Sequence, residues 1–320
     1  VSVADILATN KIEFEDIMTA KNGNVWLTTV KKGIFLAQKT ANNQIKLSHF
    51  SNDLKGSFPP ASNKLNAFNI DTDNDLWVGS EDGLDVISKF FQQSYRRNRI
   101  LQNRNINCII SENNNIWTGT KDGELICYNK ISKKISSYKI SIKTINSIIK
   151  SKNGGVLFIT TATGQLLTFD LKTFKINSTI QISQGPIFSV YPDKSGLLWI
   201  EPEKHGVFLV DPKSKNIKFF SQQTDATFLQ LEHSFGVFED NFDRVWVKLK
   251  GGGFGFYNKK ENTLDFFYNR PGSENQKFSN IVASMYFDPS GILWMSTNDR
   301  GINKVIFQKD VFQQQLLVTN

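Results

Sequence analysis

The amino-acid sequence predicts an all-β chain folded as a seven-bladed β-propeller of four-stranded antiparallel blades. Three observations predict it. One aromatic phrase recurs along the chain, a turn rich in Asp, Asn and Gly precedes each copy, and a glycine followed by a β-rich run comes six or seven residues after each copy. A period of roughly 40–50 residues made of short strands is the signature of propeller blades.

All six tryptophans occupy the same phrase: Asn24-Val25-Trp26, Asp75-Leu76-Trp77, Asn115-Ile116-Trp117, Leu197-Leu198-Trp199, Arg244-Val245-Trp246 and Ile292-Leu293-Trp294. Their spacings are 51, 40, 82, 47 and 48 residues, and the 82 requires one further copy, which Val156-Leu157-Phe158 supplies with Phe for Trp. The upstream turns run over 21–24, 71–75, 112–115, 152–155, 193–196, 240–243 and 288–291, in residues that favour tight turns and positive φ. The downstream glycines are Gly33, Gly83, Gly123, Gly164, Gly206, Gly253 and Gly301, each placed for a second hairpin turn.

An apolar strand precedes each turn, as in Asn107-Cys108-Ile109-Ile110, and a weaker fourth strand completes each unit, as in Ile45 to Phe50. The whole chain, 1–320, is therefore expected to be a single propeller with blades centred on Trp26, Trp77, Trp117, Phe158, Trp199, Trp246 and Trp294. A repeated aromatic reads as packing between stacked blades, because a ligand-stacking ring would break the repeat rather than follow it. Both Val1 to Leu7 and Phe312 to Val318 have the alternation needed for the outermost strand of the last blade.

Composition removes several function classes. The 38 Lys and Arg against 30 Asp and Glu give a net charge of +8, with no run of five basic residues such as a nucleic-acid binder concentrates. Arg96, Arg97, Arg99 and Arg104 read as a solvated strand end. The two cysteines are too few for a zinc site or a disulfide scaffold. Cys108 on the first strand and Cys127 on the third strand of one blade stand ~9–10 Å apart, beyond disulfide reach. No apolar run is long enough to span a membrane, and Val1 to Asn10 lacks the pattern of a signal peptide. Without an initiator Met, the chain is expected to be a processed or excised piece.

Function is expected where loops gather on a rigid scaffold. Strand alternation brings the connections between blades and those from second to third strand to the same end. The longer connections are Ser51 to Lys64, Ser221 to His233 and Asn269 to Ser279, and they carry the apolar groups Phe58-Pro59-Pro60 and Thr227-Phe228-Leu229. The candidate ligand-face residues are Lys31, Lys32, Glu81, Lys121, Glu203, His205, Lys248, Lys250 and Arg300. Their identities change from blade to blade, as recognition of an asymmetric ligand requires. Of the three histidines, His49, His205 and His233, none has metal-ligand spacing. Glu203 with His205 is the one local acid–base pair, and Gly251-Gly252-Gly253 lacks the Lys-Ser or Lys-Thr of a phosphate loop. No catalytic residue, metal or cofactor is expected.

The phrase Asp288-Pro289-Ser290-Gly291-Ile292-Leu293-Trp294-Met295-Ser296-Thr297 followed by Gly301-Ile302 resembles the two-component-regulator propeller repeat, and so do the segments 75–80 and 115–120. The resemblance runs over the whole chain. It departs at Phe158 in the fourth copy and at Lys248-Leu249, where the sixth copy lacks Gly-Thr. It implies the periplasmic sensor region of a hybrid two-component system, seen especially in gut Bacteroidetes, which detects carbohydrate fragments. In that setting the partners would be a second propeller and an immunoglobulin-like domain of the same chain, a second copy in a homodimer, and a histidine kinase beyond this fragment. The ligand would be an oligosaccharide, with the net charge favouring an acidic one, and no nucleic acid is implied. Two other readings stand beside it: a propeller lyase or hydrolase acting on polysaccharide, and a ligand-free protein-interaction platform.

Overall fold

The computed structural model describes residues 12, 14–51, 62, 64–89, 95–221, 235–249, 254–267, 282–288, 290–297, 301–307 and 312–315. They form seven four-stranded antiparallel sheets and, among the described residues, no helix. The fold class is that of a seven-bladed β-propeller, as the repeat predicts. The chain divides into two compact units, Val1–Lys150 with Ile159–Thr163, and Ser151–Phe158 with Gly164–Asn320.

In the first unit, blade 1 comprises β1 (Phe14–Thr19), β2 (Val25–Thr29), β3 (Ile34–Lys39) and β4 (Ile45–Phe50). Blade 2 comprises β5 (Leu65–Ile70), β6 (Leu76–Ser80), β7 (Gly83–Lys89) and β8 (Tyr95–Gln102). Blade 3 comprises β9 (Ile106–Glu112), β10 (Asn115–Thr120), β11 (Glu124–Asn129) and β12 (Ile135–Lys139). The fourth sheet, β13 (Ile145–Lys150), β14 (Val156–Thr161), β15 (Gln165–Asp170) and β16 (Lys175–Gln181), contributes strands to both units.

In the second unit, blade 5 is β17 (Ile187–Pro192), β18 (Leu198–Pro202), β19 (Val207–Asp211) and β20 (Asn216–Phe220). Blade 6 is β21 (Gly236–Glu239), β22 (Val245–Lys248), β23 (Phe254–Asn258) and β24 (Thr263–Phe267). Blade 7 is β25 (Val282–Phe287), β26 (Ile292–Thr297), β27 (Gly301–Phe307) and β28 (Phe312–Gln315). Every sheet is a simple meander whose strands follow chain order. The last blade takes its outer strand from β28, which pairs with β27 through Phe307 and Phe312. Val1 to Leu7 lies outside the described residues.

Each second strand carries the aromatic, and β10 is deeply buried, with five of its six residues inaccessible. Trp26, Trp77, Trp117, Trp199 and Trp246 are almost wholly buried. Several meet an aromatic of the following blade: Trp77 with Tyr128 at 5.7 Å, Trp199 with Tyr257 at 5.1 Å and Trp246 with Phe307 at 4.7 Å between ring centroids. This is the packing between blades that the repeat implies.

The turn before the aromatic explains why the phrase is so regular. Asp71 Oδ1 accepts the amides of Asp73 and Asp75, while its Oδ2 accepts the Trp77 indole N–H at 2.9 Å. Asp193 does the same for Ser195, Leu197 and Trp199, Asp240 for Phe242, Arg244 and Trp246, and Asp288 for Ser290, Ile292 and Trp294. One carboxylate thus closes the turn and satisfies a donor that would otherwise be buried unpaired. The Ser290 hydroxyl, the Trp294 indole and nearby amides hold the Asp288 carboxyl down at about 2. The turn also needs a left-handed residue three places before the aromatic, supplied by Asn74 (φ 65°) in blade 2 and Gly196 (φ 89°) in blade 5.

A second close approach fixes neighbouring blades. A Cβ on Gly119, two residues after Trp117, would fall on Ile145 of the next first strand. Bridging hydrogen bonds run the same way: Asn66 Nδ2 donates to the Ile106 carbonyl at 2.9 Å and Asn107 Nδ2 to the Ile145 carbonyl at 3.0 Å.

Blade 1 has Ala20 where these turns have Asp, and the buried Trp26 Nε1 has no hydrogen-bond partner. Ala20→Asp is therefore expected to raise stability by about 1 kcal/mol, and Asp193→Ala to lower it by about 3 kcal/mol, read as opposite shifts of the urea midpoint.

Candidate functional site

The second strand runs toward the end of the blade where the expected ligand face lies, and the structure sorts the candidates there. Lys31, Lys32, Glu81, Lys121, Glu203 and His205 are exposed in the turns that follow the second strands. Lys121 is tied by its backbone, its amide to the Asn105 carbonyl and its carbonyl to the Thr144 hydroxyl. Lys250 and Arg300 lie outside the described residues, as do His233 and the segments 58–60 and 227–229.

Lys248 is a correction. Rather than standing in a solvated loop, it ends β22 with 2% exposure, and burial pushes its ammonium down to about 8. It pairs with Gly236 across the two strands.

Lys248 belongs to a row that the sequence reading did not isolate: the position two residues after each repeated aromatic. In the first unit the row reads Thr28, Gly79, Gly119 and Thr160, and in the second Glu201, Lys248 and Ser296. Its polar members reach back to the first strand of their own blade. Thr160 Oγ1 meets Ser147 Oγ at 2.8 Å, Ser189 Oγ donates to Glu201 Oε2 at 2.7 Å, and Ser296 Oγ meets Ser284 Oγ at 3.3 Å. The signal was present in the sequence as a position of the phrase that changes freely in size and charge.

In the first unit this row borders a cavity of about 360 Å³, lined by Asp16, Thr28, Asn66, Asn107, Cys108 and Ser147 among others. The volume is at the small end of ligand sites. Its polar groups are mainly neutral carboxamides and hydroxyls on the first strands, which the bridging hydrogen bonds to the Ile106 and Ile145 carbonyls hold in place. Burial pushes the Cys108 thiol up to about 12, so it is a weak donor there, directed at the Ile145 carbonyl, and not a nucleophile. Both cysteines are free, as the strand separation requires.

Other candidates are spent on structure. Arg99 pairs with the buried Asp85 at 2.9 Å and Arg104 with Glu124 at 3.2 Å, so these two arginines serve the chain's own carboxylates. The His49 ring stacks on Phe35 at 4.1 Å, and its Nε2 lies 2.6 Å from the Lys32 carbonyl. Among the described residues no cluster of His, Cys, Asp and Glu has metal-binding geometry.

Sheet architecture and repeat define the chain as a β-propeller. No protein-family model and no curated protein sequence matches it. Among solved structures it is similar to the extracellular domain of BT4673 from B. thetaiotaomicron, described in one structure as a one-component and in another as a hybrid two-component system, the latter with TM-score 0.60 and 18% identity over 93% of this chain and 38% of that one. It is also similar to the extracellular domain of BT3049 from the same organism, described as a hybrid two-component system, with TM-score 0.56 and 17% identity over 96% of this chain and 46% of that one. Virginiamycin B lyase from Staphylococcus aureus matches with TM-score 0.64 and 14% identity over 94% of this chain and 97% of the lyase. The chain thus spans less than half the length of the two extracellular domains. At these identities the likeness shows the fold alone.

Lys248→Met should raise stability at pH 7 by removing the cost of a buried charge. A lysine whose folded value is lowered to about 8 is penalised while it is charged, so the gain should shrink as pH rises from about 8 through the unfolded value near 10.5. Urea titrations of both proteins between pH 6.5 and 10.5 check this.

Proposed function

We propose that this chain is the extracytoplasmic, periplasmic sensory propeller of a hybrid two-component system, binding an oligosaccharide and passing the signal through dimerisation to a histidine kinase elsewhere in the same protein. The observation that carries the reading is the first-unit cavity, where Asn66, Asn107, Ser147 and Thr28 offer neutral hydrogen-bonding groups suited to sugar hydroxyls. Exposed Asp16 adds an acceptor at its border. Lys31, Lys32 and Lys121, exposed in the adjoining turns of the same unit, favour a ligand that carries carboxylate or sulfate groups. The likeness to two extracellular domains described as parts of hybrid two-component systems supports this class. By that analogy a second propeller and an immunoglobulin-like domain complete the sensor.

A propeller lyase is the second reading, favoured by the likeness to virginiamycin B lyase over nearly its full length. A histidine-to-alanine variant of that lyase is catalytically inactive. In this chain the acid–base pair open to such a role is Glu203 with His205, both exposed, while His49 is engaged by Phe35 and the Lys32 carbonyl.

Calorimetric titration against neutral and acidic oligosaccharides, with product monitored in the same samples, tests the proposal. Saturable binding without product is expected. Asp16→Ala should weaken it at least tenfold with little movement of the thermal midpoint, because the side chain is exposed and its one hydrogen bond, from the Ile17 amide, is exposed too. Product formation would establish the lyase reading in its place.

A further inference from the structure

The junction between blades 4 and 5 departs from the repeat on both of its sides. On the blade 4 side, Phe158 stands where the other copies have Trp, and Lys152 stands where Asp71, Asp193, Asp240 and Asp288 accept an indole N–H. On the blade 5 side, register identifies the partner position. Tyr128, which packs on Trp77, pairs with Ile116, the residue before Trp117, and the residue paired with Leu198 before Trp199 is Val210. A ring is thus reduced on one side and absent on the other. The strand neighbours are small as well: Thr168 and Ser178 pair across β15 and β16 and hydrogen-bond to each other at 3.3 Å.

The junction is open beside Phe158. A cavity of about 350 Å³ lies there, wholly within the second unit, with Phe158, Val156, Pro192 and Pro212 as its apolar walls. Its charged lining is cationic: Lys152, Lys194 and Lys213, with Asp193 committed to Trp199 and its own turn. The lysine-bearing edge is built rather than loose. Glu239, 4% exposed, accepts from Lys152 Nζ, from the Tyr191 hydroxyl at 3.3 Å and from the Lys194 amide at 2.8 Å. Lys152 Nζ also lies over the Tyr191 ring at 5.3 Å, and Lys194 is paired with Asp243. Lys213 makes no ion pair among the described residues, and its exposed side chain borders the mouth.

The corresponding groove between blades 2 and 3 shows what the repeat normally does there. That groove also holds a cavity, of about 540 Å³, but Trp77 and Tyr128 stand at its wall with Asp73 and Asp75, and Lys130 is spent on Asp71 at 2.7 Å and Asp73 at 2.6 Å. In blade 5 the corresponding place belongs to Pro212, which bridges nothing.

We infer that the cavity between blades 4 and 5 is a second binding site, distinct from the proposed oligosaccharide site, that takes a small planar aromatic acid. The flat ring lies against Phe158 and the two prolines, and the carboxylate faces Lys213, the cavity lysine without an ion pair among the described residues. Apolar walls disfavour a fully hydroxylated ligand, and the lysines disfavour a cation.

Titration of the full chain with 2-naphthoate, followed by calorimetry and by the ligand's own fluorescence, tests this. Saturable one-site binding is expected. Restoring the repeat with Phe158→Trp should weaken it at least tenfold. Lys213→Gln, a change on an exposed side chain that leaves the fold intact, should weaken it about threefold or more. The uncharged 2-naphthalenemethanol should bind correspondingly less well. Absence of saturable binding to the unmodified chain overturns the inference, as does binding that both variants leave unchanged. Loss in Phe158→Trp with Lys213→Gln unaffected overturns the assignment of an acid.

Discussion

In four of the seven blades the structure depends on one contact, a carboxylate that accepts two turn amides and an indole N–H together. An indole placed between blades brings a large apolar area into the core, but its N–H comes with it and has lost water. The aspartate six residues upstream solves that problem with the same atoms that set the turn. Burial, strand register and blade spacing are therefore coupled through a single residue. Neighbouring blades are then keyed by close approach, with the glycine after Trp117 admitting Ile145 and the Asn107 carboxamide spanning to the next first strand.

Much of the fold was legible because these constraints act at fixed sequence offsets. The Asx/Gly turns, the left-handed residue before the aromatic and the glycine at the second turn are each local demands on particular residue types, so repetition exposes them. The replacement of Trp by Phe158 was visible for the same reason. The offset also located every second strand correctly, including β22, although Lys248 closes that strand instead of entering the loop.

The candidate site was less legible. Exposed lysines such as Lys31 and Lys121 can be found by their place in the repeat, but a cavity is made of residues that meet across strands and blades. Asn66, Asn107 and Ser147 look like ordinary strand residues in sequence, and their common role arises from first strands packing side by side. The hole beside Phe158 is harder still, since it requires Val210 and Pro212 on another blade to be small or unable to bridge. Only the register between β18 and β19 places Val210 opposite the missing ring.

Among the described residues no sheet borrows a strand from another part of the chain, and the last takes its outer strand from its own β28. Each blade is consequently one uninterrupted stretch of sequence with its hydrogen-bonded ladder complete within itself. Duplication or deletion of such a stretch at the genetic level changes only the contacts at its two flanks. That modularity lets a lineage diversify one junction, as between blades 4 and 5, while the remaining copies preserve the scaffold.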